Sequence, residues 1–166
     1  MRNDLKWHSN TEKLIKNAYK RMLILHNLSK ISLTLDEMIQ IYTLYIRSVL
    51  ENSAVVWHSS ISRGEELEIE RVQRCALRLI LGERYSTYED ALMVTNLKTL
   101  NERRVQLCRA FAKKCVKNGS DLFPLNSKKN HTRNHEKYFV TNAKTSRLAK
   151  SAVPYLQRLL NLESMK

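Results

Sequence analysis

The chain has 166 residues, of which 43% are hydrophobic, and a formal net charge of +13 at pH 7. It contains only 3 Gly and 2 Pro, and so few helix breakers favour long helices over short strands joined by tight turns. Its apolar stretches are shorter than the ~18 residues that a membrane span needs, and its first ten residues lack the apolar core of a secretory signal. These features predict an intracellular all-α protein of the nucleus or cytoplasm, with no membrane partner.

Four capping boxes, each a Ser or Thr followed three residues later by Glu, predict where helices begin. The pairs are Ser9 with Glu12, Thr34 with Glu37, Ser62 with Glu65, and Thr99 with Glu102. We expect the four helices to extend to about Leu28, Leu50, Leu81 and Val116. Gly82 is expected to end the third helix in a left-handed conformation. The run Ala54-Val55-Val56-Trp57 either extends the second helix or forms a buried extended stretch, and periodicity leaves both possibilities open.

Apolar residues recur at three- and four-residue spacing in these segments and predict their buried faces. The first helix is expected to bury Leu14, Ile15, Ala18, Tyr19, Met22, Leu25 and His26. The third is expected to bury Leu67, Val72, Ala76, Leu79 and Ile80, with Arg71, Arg74 and Arg78 on its opposite side. The last long helix is expected to bury Leu100, Leu107, Cys108, Phe111 and Cys115.

Shorter elements complete the prediction. A turn of helix is expected from Tyr88 to Met93, and Pro154 suits the first turn of a small terminal helix. Residues 126–150 lack periodicity and are expected to be extended or flexible. The predicted fold is a bundle of about four long helices over residues 1–120, followed by a basic, partly disordered arm over residues 121–166.

The positive charge is concentrated at the C-terminal end. Residues 1–100 carry 14 Lys and Arg against 12 Asp and Glu, whereas residues 101–166 carry 15 against 4. Such an excess is typical of a surface that binds a polyanion, although a solvated, self-repelling tail is the alternative. The predicted nucleic-acid-binding residues on the last long helix are Arg103, Arg104, Arg109, Lys113, Lys114 and Lys117. Those in the arm are Lys128, Lys129, Arg133 and Lys137, which surround Tyr138, a candidate for stacking on a base.

Several phrases in order resemble the region downstream of the palm in reverse transcriptases of non-LTR (LINE-like, jockey/CR-type) retrotransposons. They are NDLKWHSNTEKLIKNAYKRM, YIRSVLENSAVVWHSSIS, ELEIERVQRCALRLILG, TYEDAL, LKTLNERRVQLCRAFAKKC, LFPL and SAVPYLQRLLN. The similarity runs from about Asn3 to Asn161 and implies the thumb and tail of an RNA-directed DNA polymerase. The first ninety residues also resemble a segment described as the N-terminal region of an alkylation-repair dioxygenase homologue.

The resemblance does not extend to the chemistry of polymerisation. Reverse transcription needs two metal ions held by carboxylates of the palm, which this family provides with a Tyr-x-Asp-Asp signature. The nearest match here is Tyr88-Glu89-Asp90-Ala91, which has Ala at the last position and lies in a predicted helix. We therefore expect a fragment that is not an enzyme by itself. Its expected partner is the backbone of an RNA or DNA primer–template duplex, bound without sequence preference, with no cofactor and no small-molecule substrate. A vestigial helical protein without a selected activity and a host regulatory module that reads bases are the alternatives.

Metal-binding residues are few. Cys75, Cys108 and Cys115 are an odd number of cysteines, which favours free thiols. Cys108, Cys115, His131 and His135 include a His-x3-His spacing, but Cys-x6-Cys is longer than structural zinc sites prefer, and unrelated packing residues are the favoured interpretation. None of the five His is followed two positions later by a carboxylate, as the iron site of a dioxygenase would require.

Overall fold

A computed structural model describes residues 7–31, 33–125 and 137–164, and this part of the chain is mainly α-helical, as predicted. The α-helices are α1 (His8–Leu28), α2 (Leu35–Ile41), α3 (Ser48–Glu51), α4 (Ala54–Trp57), α5 (Arg63–Leu81), α6 (Tyr88–Thr95), α7 (Leu100–Lys117), α8 (Ser146–Ala149) and α9 (Ala152–Ser164). A π-helical segment, Tyr42–Arg47, joins α2 to α3. Within the described ranges, no helix is both long and apolar enough to cross a membrane.

Three of the four predicted capping boxes are present. Thr34 with Glu37 and Ser62 with Glu65 exchange both hydrogen bonds at the starts of α2 and α5, and Thr99 with Glu102 does the same at α7. The box at Ser9 is wrong, because α1 begins at His8 and Ser9 lies inside its first turn. The Trp7 carbonyl begins this helix instead, accepting from the Thr11 amide at 2.9 Å and from the Thr11 hydroxyl at 3.1 Å.

The apolar run at residues 54–57 follows neither predicted course. Ser53 has a left-handed backbone, with φ of 53°, which ends the preceding helix. Ala54–Trp57 then forms a separate turn of helix. Gly82 does end α5 with a positive φ of 53°, but its ψ of −123° is not that of a left-handed helix.

The predicted buried faces are partly correct. Leu14, Ala18, Met22 and Leu25 are buried in α1, whereas Tyr19 and His26 are exposed. In α5 the buried face is rotated toward Ile69, Gln73 and Leu77, so that Leu67 is exposed. In α7 Leu100, Cys108 and Ala112 are buried, and Phe111 is exposed. The arginines of α5, namely Arg71, Arg74 and Arg78, are exposed as predicted.

The chain divides into two compact units. The first unit comprises Met1–Asn52 and Ile61–Arg103, and the second comprises Ser53–Ser60 and Arg104–Lys166. The division falls within α7, after its first turn, whereas the sequence placed a boundary at residue 120.

A buried polar network lies inside the first unit. The Gln73 side chain is fully buried, accepts from the Tyr42 hydroxyl at 2.6 Å, and donates to the Tyr88 hydroxyl and the Lys98 carbonyl, both at 2.9 Å. The Tyr88 hydroxyl in turn donates to the Glu70 carboxylate. Both carboxylate oxygens of Glu70 accept from the Leu100 amide at 3.1 Å, at the start of α7. This network fixes the π-helical segment, α5, α6 and the first turn of α7 in one arrangement.

The core of the second unit is formed by residues from α7 and from the C-terminal part of the chain. Its buried members are Cys108, Ala112, Phe123, Tyr138, Leu156, Leu159 and Leu160. Two amide side chains of α9 hold the preceding segment: Gln157 accepts from the Thr141 amide at 2.8 Å and donates to the Leu122 carbonyl at 2.8 Å. Residues 137–164 are therefore part of a packed unit, and the predicted extended course of residues 126–150 applies to only part of that range, since Ser146–Ala149 is helical.

Candidate nucleic-acid interface

Four of the predicted cations lie on the exposed surface of α7. Arg109, Lys113 and Lys117 follow one another at four-residue spacing, which places them in one row along the helix, and Lys114 lies beside them. All four side chains are exposed. A helix packed into a core on one side and cationic on the other presents its charge at a fixed spacing.

Arg104 does not belong to this surface, and its prediction as a nucleic-acid contact is wrong. The side chain is fully buried, its Nε donates to Nδ1 of His58 at 3.3 Å, and its guanidinium lies 5.8 Å from the centre of the Trp57 ring. Leu100, Arg104, Cys108 and Ala112 recur every four residues, so Arg104 occupies a core position of α7. Trp57 and His58 surround the charge with an aromatic face and an acceptor, which a guanidinium needs when it is buried.

Arg103 is half-buried and belongs to the first unit. Its Nε donates to Glu51 at 3.0 Å, and the same carboxylate lies 3.3 Å from Nε of Arg47. Because Glu51 is shared by two arginines, part of their charge is neutralised inside the protein. The Arg103 side chain is thus less available to a phosphate than the exposed cations of α7.

Tyr138 is buried, with 8% of its surface exposed, so its prediction as a stacking platform is wrong. Its backbone amide donates to Oδ1 of Asn161 at 2.9 Å, and its carbonyl accepts from Nδ2 of Asn161 at 2.9 Å. Nζ of Lys137, which is exposed, lies 5.6 Å from the centre of the Tyr138 ring. The predicted residues Lys128, Lys129 and Arg133 lie outside the described residues, as do His131 and His135.

The structure adds cations that the sequence analysis did not select. Lys144, Arg147, Lys150 and Arg158 are all exposed in the second unit. Lys144, Arg147 and Lys150 recur every three residues, a pattern that was visible in the sequence. Arg158 was hidden within a segment interpreted as an apolar patch.

Tyr155 brings cations of α7 and α9 together. Burial raises the pKa of its phenol, and the Cys108 thiol adds to this effect, whereas the positive charges of Arg109 and Arg158 act in the opposite direction. The Tyr155 ring packs edge-on against His58, with ring centres 5.6 Å apart. Arg109 and Arg158 therefore flank one aromatic side chain although they lie on different helices.

The segment between α4 and α5 fixes the end of α8. The hydroxyls of Ser59 and Ser60 donate to the Lys150 carbonyl at 2.7 and 2.8 Å. Arg158 donates to the Ala149 carbonyl. These bonds satisfy carbonyl groups at the C-terminal end of α8 and hold the backbone that carries Arg147 and Lys150.

The acidic motif at residues 88–91 lies in α6. The Asp90 carboxylate accepts from the hydroxyls of Ser86 and Thr87 at 2.8 and 2.7 Å, and these bonds lower its pKa. Asp90 thus stabilises the first turn of α6, where a negative charge is favourable. Among the residues that the structure describes, no three His, Cys, Asp or Glu side chains are grouped as metal ligands would be.

Comparison with protein-family models, with curated proteins and with solved structures finds no match to this chain.

Proposed function

We propose that the chain is a nucleic-acid-binding fragment that holds the phosphate backbone of a primer–template duplex through its second unit. The observation that carries this proposal is the charge of that unit, which contains 14 Lys and Arg against 3 Asp and Glu. The first unit, with 15 against 13, is nearly neutral. Such a segregation of charge concentrates the electrostatic field on one part of the molecule.

The exposed row on α7 provides the first set of phosphate contacts. Arg109, Lys113 and Lys117 project from one helix whose opposite face is buried, so that their backbone positions are rigid. Arg158, Arg147 and Lys150 extend the cationic surface of the same unit. Each cation that neutralises a phosphate releases condensed counterions, which gives affinity without reading the bases.

The resemblance to non-LTR retrotransposon reverse transcriptases supports the choice of ligand. In this proposal the predicted bundle of about four long helices corresponds to the thumb, and the basic C-terminal part corresponds to the tail of an RNA-directed DNA polymerase. The fragment binds RNA or DNA in the nucleus or cytoplasm and does not extend a primer. The carboxylates that would hold the polymerase metals belong to a palm that this sequence does not resemble.

The proposal predicts how binding depends on salt. If ~4–6 phosphates are neutralised, the logarithm of the affinity falls against the logarithm of the salt concentration with a slope of about −4 to −5. Fluorescence anisotropy of a labelled primer–template, titrated with the full chain at several salt concentrations, measures this slope. Lack of detectable binding at low salt would contradict the proposal and favour a helical protein without a selected activity.

Deletion of the C-terminal residues is not a suitable test. Leu156, Leu159 and Leu160 form part of the core against which α7 packs, so that their removal would unfold the second unit. Charge substitutions in the full chain avoid this difficulty.

A further inference from the structure

We infer that the first unit carries a phosphate-binding site of its own, formed by Arg74 and Arg78 of α5, for the phosphodiester backbone of a nucleic acid. This site is separate from the basic surface of the second unit. The inference deepens the proposed function and rests on it for the identity of the ligand.

The two arginines are held against aromatic rings. The guanidinium carbon of Arg74 lies 4.9 Å from the centre of the Tyr88 ring, and that of Arg78 lies 5.3 Å from the centre of the Tyr85 ring. Both distances are within the range of a cation–π contact. A guanidinium stacked on a ring keeps its N–H groups directed outward in one plane, which is the geometry that pairs with a phosphate through two hydrogen bonds.

The rings themselves are fixed. Tyr88 is buried, and its hydroxyl is held by Gln73 and by Glu70. Tyr85 is half-buried and packs against the cluster formed by Leu77, Leu81, Tyr88 and Ala91. The stacked arginines therefore lose less conformational freedom on binding a ligand than mobile surface side chains would.

Charge pairing distinguishes these arginines from the others on the same helix. Arg63 pairs with Glu66 at 2.8 Å, and Arg71 pairs with Glu68 at 3.2 Å. Within the described part of the chain, neither Arg74 nor Arg78 forms an ion pair. The nearby Glu70 carboxylate is half-buried and is occupied by the Leu100 amide and the Tyr88 hydroxyl. The positive charge of both exposed guanidiniums thus remains available to a ligand.

The spacing favours a polymer over a single headgroup. Arg74 and Arg78 are four residues apart and lie one above the other along α5, about 5–6 Å between their Cβ atoms. A row of two oriented cations matches a ligand with successive phosphates. The dipole of α5 favours cations near its C-terminal end, but it does not account for the stacking on fixed rings.

The test compares two double variants of the full chain that remove the same charge from the same helix. In R74Q/R78Q we expect the salt dependence of duplex binding to weaken by about 2 in slope, roughly 0.9 for each phosphate lost, and the affinity at low salt to fall about tenfold. In the matched control R63Q/R71Q, whose arginines are already paired, we expect little change in slope. Equal slopes for the two variants would overturn the inference.

Two further measurements keep the result interpretable. R74K/R78K retains the charge but not the planar fork, so we expect it to keep the salt slope while binding more weakly than the parent chain; an affinity equal to that of the parent would overturn the role assigned to the stacked guanidiniums. Binding to vesicles of phosphatidylcholine and phosphatidylserine provides the comparison with lipid headgroups, and a loss confined to vesicles would also overturn the inference. Failure of the parent chain to bind a duplex would refute the proposed function itself, whereas duplex binding that R74Q/R78Q leaves intact would refute this site alone.

Discussion

Asn161 and Tyr138 form a two-point hydrogen-bonded pair, in which one side-chain amide both accepts from and donates to the backbone of the other residue at 2.9 Å. Both residues are buried. The pair joins α9 to the segment that carries Lys137, and Tyr138 is also bridged to Leu125. The position of this segment therefore depends on a side chain 23 residues further along the chain.

Asn161→Ala removes both partners of the buried Tyr138 peptide groups. Unpaired buried groups are costly, so we expect the free energy of unfolding to fall by about 2–4 kcal/mol. Urea denaturation measures this loss, and hydrogen exchange should show faster exchange of the Tyr138 amide. Asn142→Ala, at an exposed position, is the control and should change stability by less than about 0.5 kcal/mol. Equal stability of the two variants would show that the pair does not stabilise the second unit.

Tyr42→Phe tests the buried network of the first unit. The substitution keeps the ring but leaves Oε1 of the buried Gln73 without the Tyr42 hydroxyl, and we expect a loss of about 1–3 kcal/mol in thermal or urea unfolding. Tyr45→Phe is the matched control because Tyr45 is 40% exposed and its ring contact with Arg21 does not require the hydroxyl. The account of the network is wrong if the two variants are equally stable.

Acid should weaken the start of α5 through Glu65. Burial of this carboxyl opposes its ionisation, but hydrogen bonds from Ser62 and the proximity of His8 outweigh that effect, so the pKa is lowered in the folded protein. A lowered folded pKa gives stability that is present above the unfolded pKa, near 4.3, and is lost as the pH falls through the folded value. Melting temperatures from pH 7 to about pH 3 should therefore decline less steeply for Glu65→Gln than for the parent chain. The exposed substitution Glu83→Gln should leave the decline unchanged, and parallel curves for all three proteins would refute the assignment.

Cys108 should be the least reactive of the three thiols. Burial raises its pKa to about 11, although the charge of Arg104 acts in the opposite direction. Few of its molecules carry the reactive thiolate at pH 8, whereas Cys75 and Cys115 are only half-buried. Alkylation with iodoacetamide followed by peptide mass spectrometry should find Cys108 modified last in the native protein, and all three modified alike in denaturant. Modification of native Cys108 as fast as Cys115 would contradict the packing described for α7.

The sequence predicted the helices well because their signals are local. Three capping boxes and the positive φ of Gly82 depend on residues within one or two turns, and each was found. The errors concern contacts that are distant in sequence. Arg104 was assigned to the surface because Arg is usually exposed, but Trp57 and His58, almost fifty residues earlier, enclose it.

Tyr138 was misassigned for the same reason. Its basic neighbours indicated an exposed aromatic residue, and the burial arises from α9, which the sequence showed only as a short apolar patch. The exposed cations Arg109, Lys113, Lys114 and Lys117 were placed correctly because the periodicity of one helix sufficed.

The central claim, that the exposed face of α7 binds the nucleic-acid backbone, is tested most directly by two triple variants in the salt-titrated anisotropy assay. R109Q/K113Q/K117Q and K13Q/K16Q/K20Q each remove three exposed cations, the first from α7 and the second from α1 of the nearly neutral unit. We predict that the α7 variant loses about 3 from the salt slope and that the α1 variant retains the slope of the parent chain. Equal slopes for the two variants, or no binding by the parent chain at low salt, would contradict the claim.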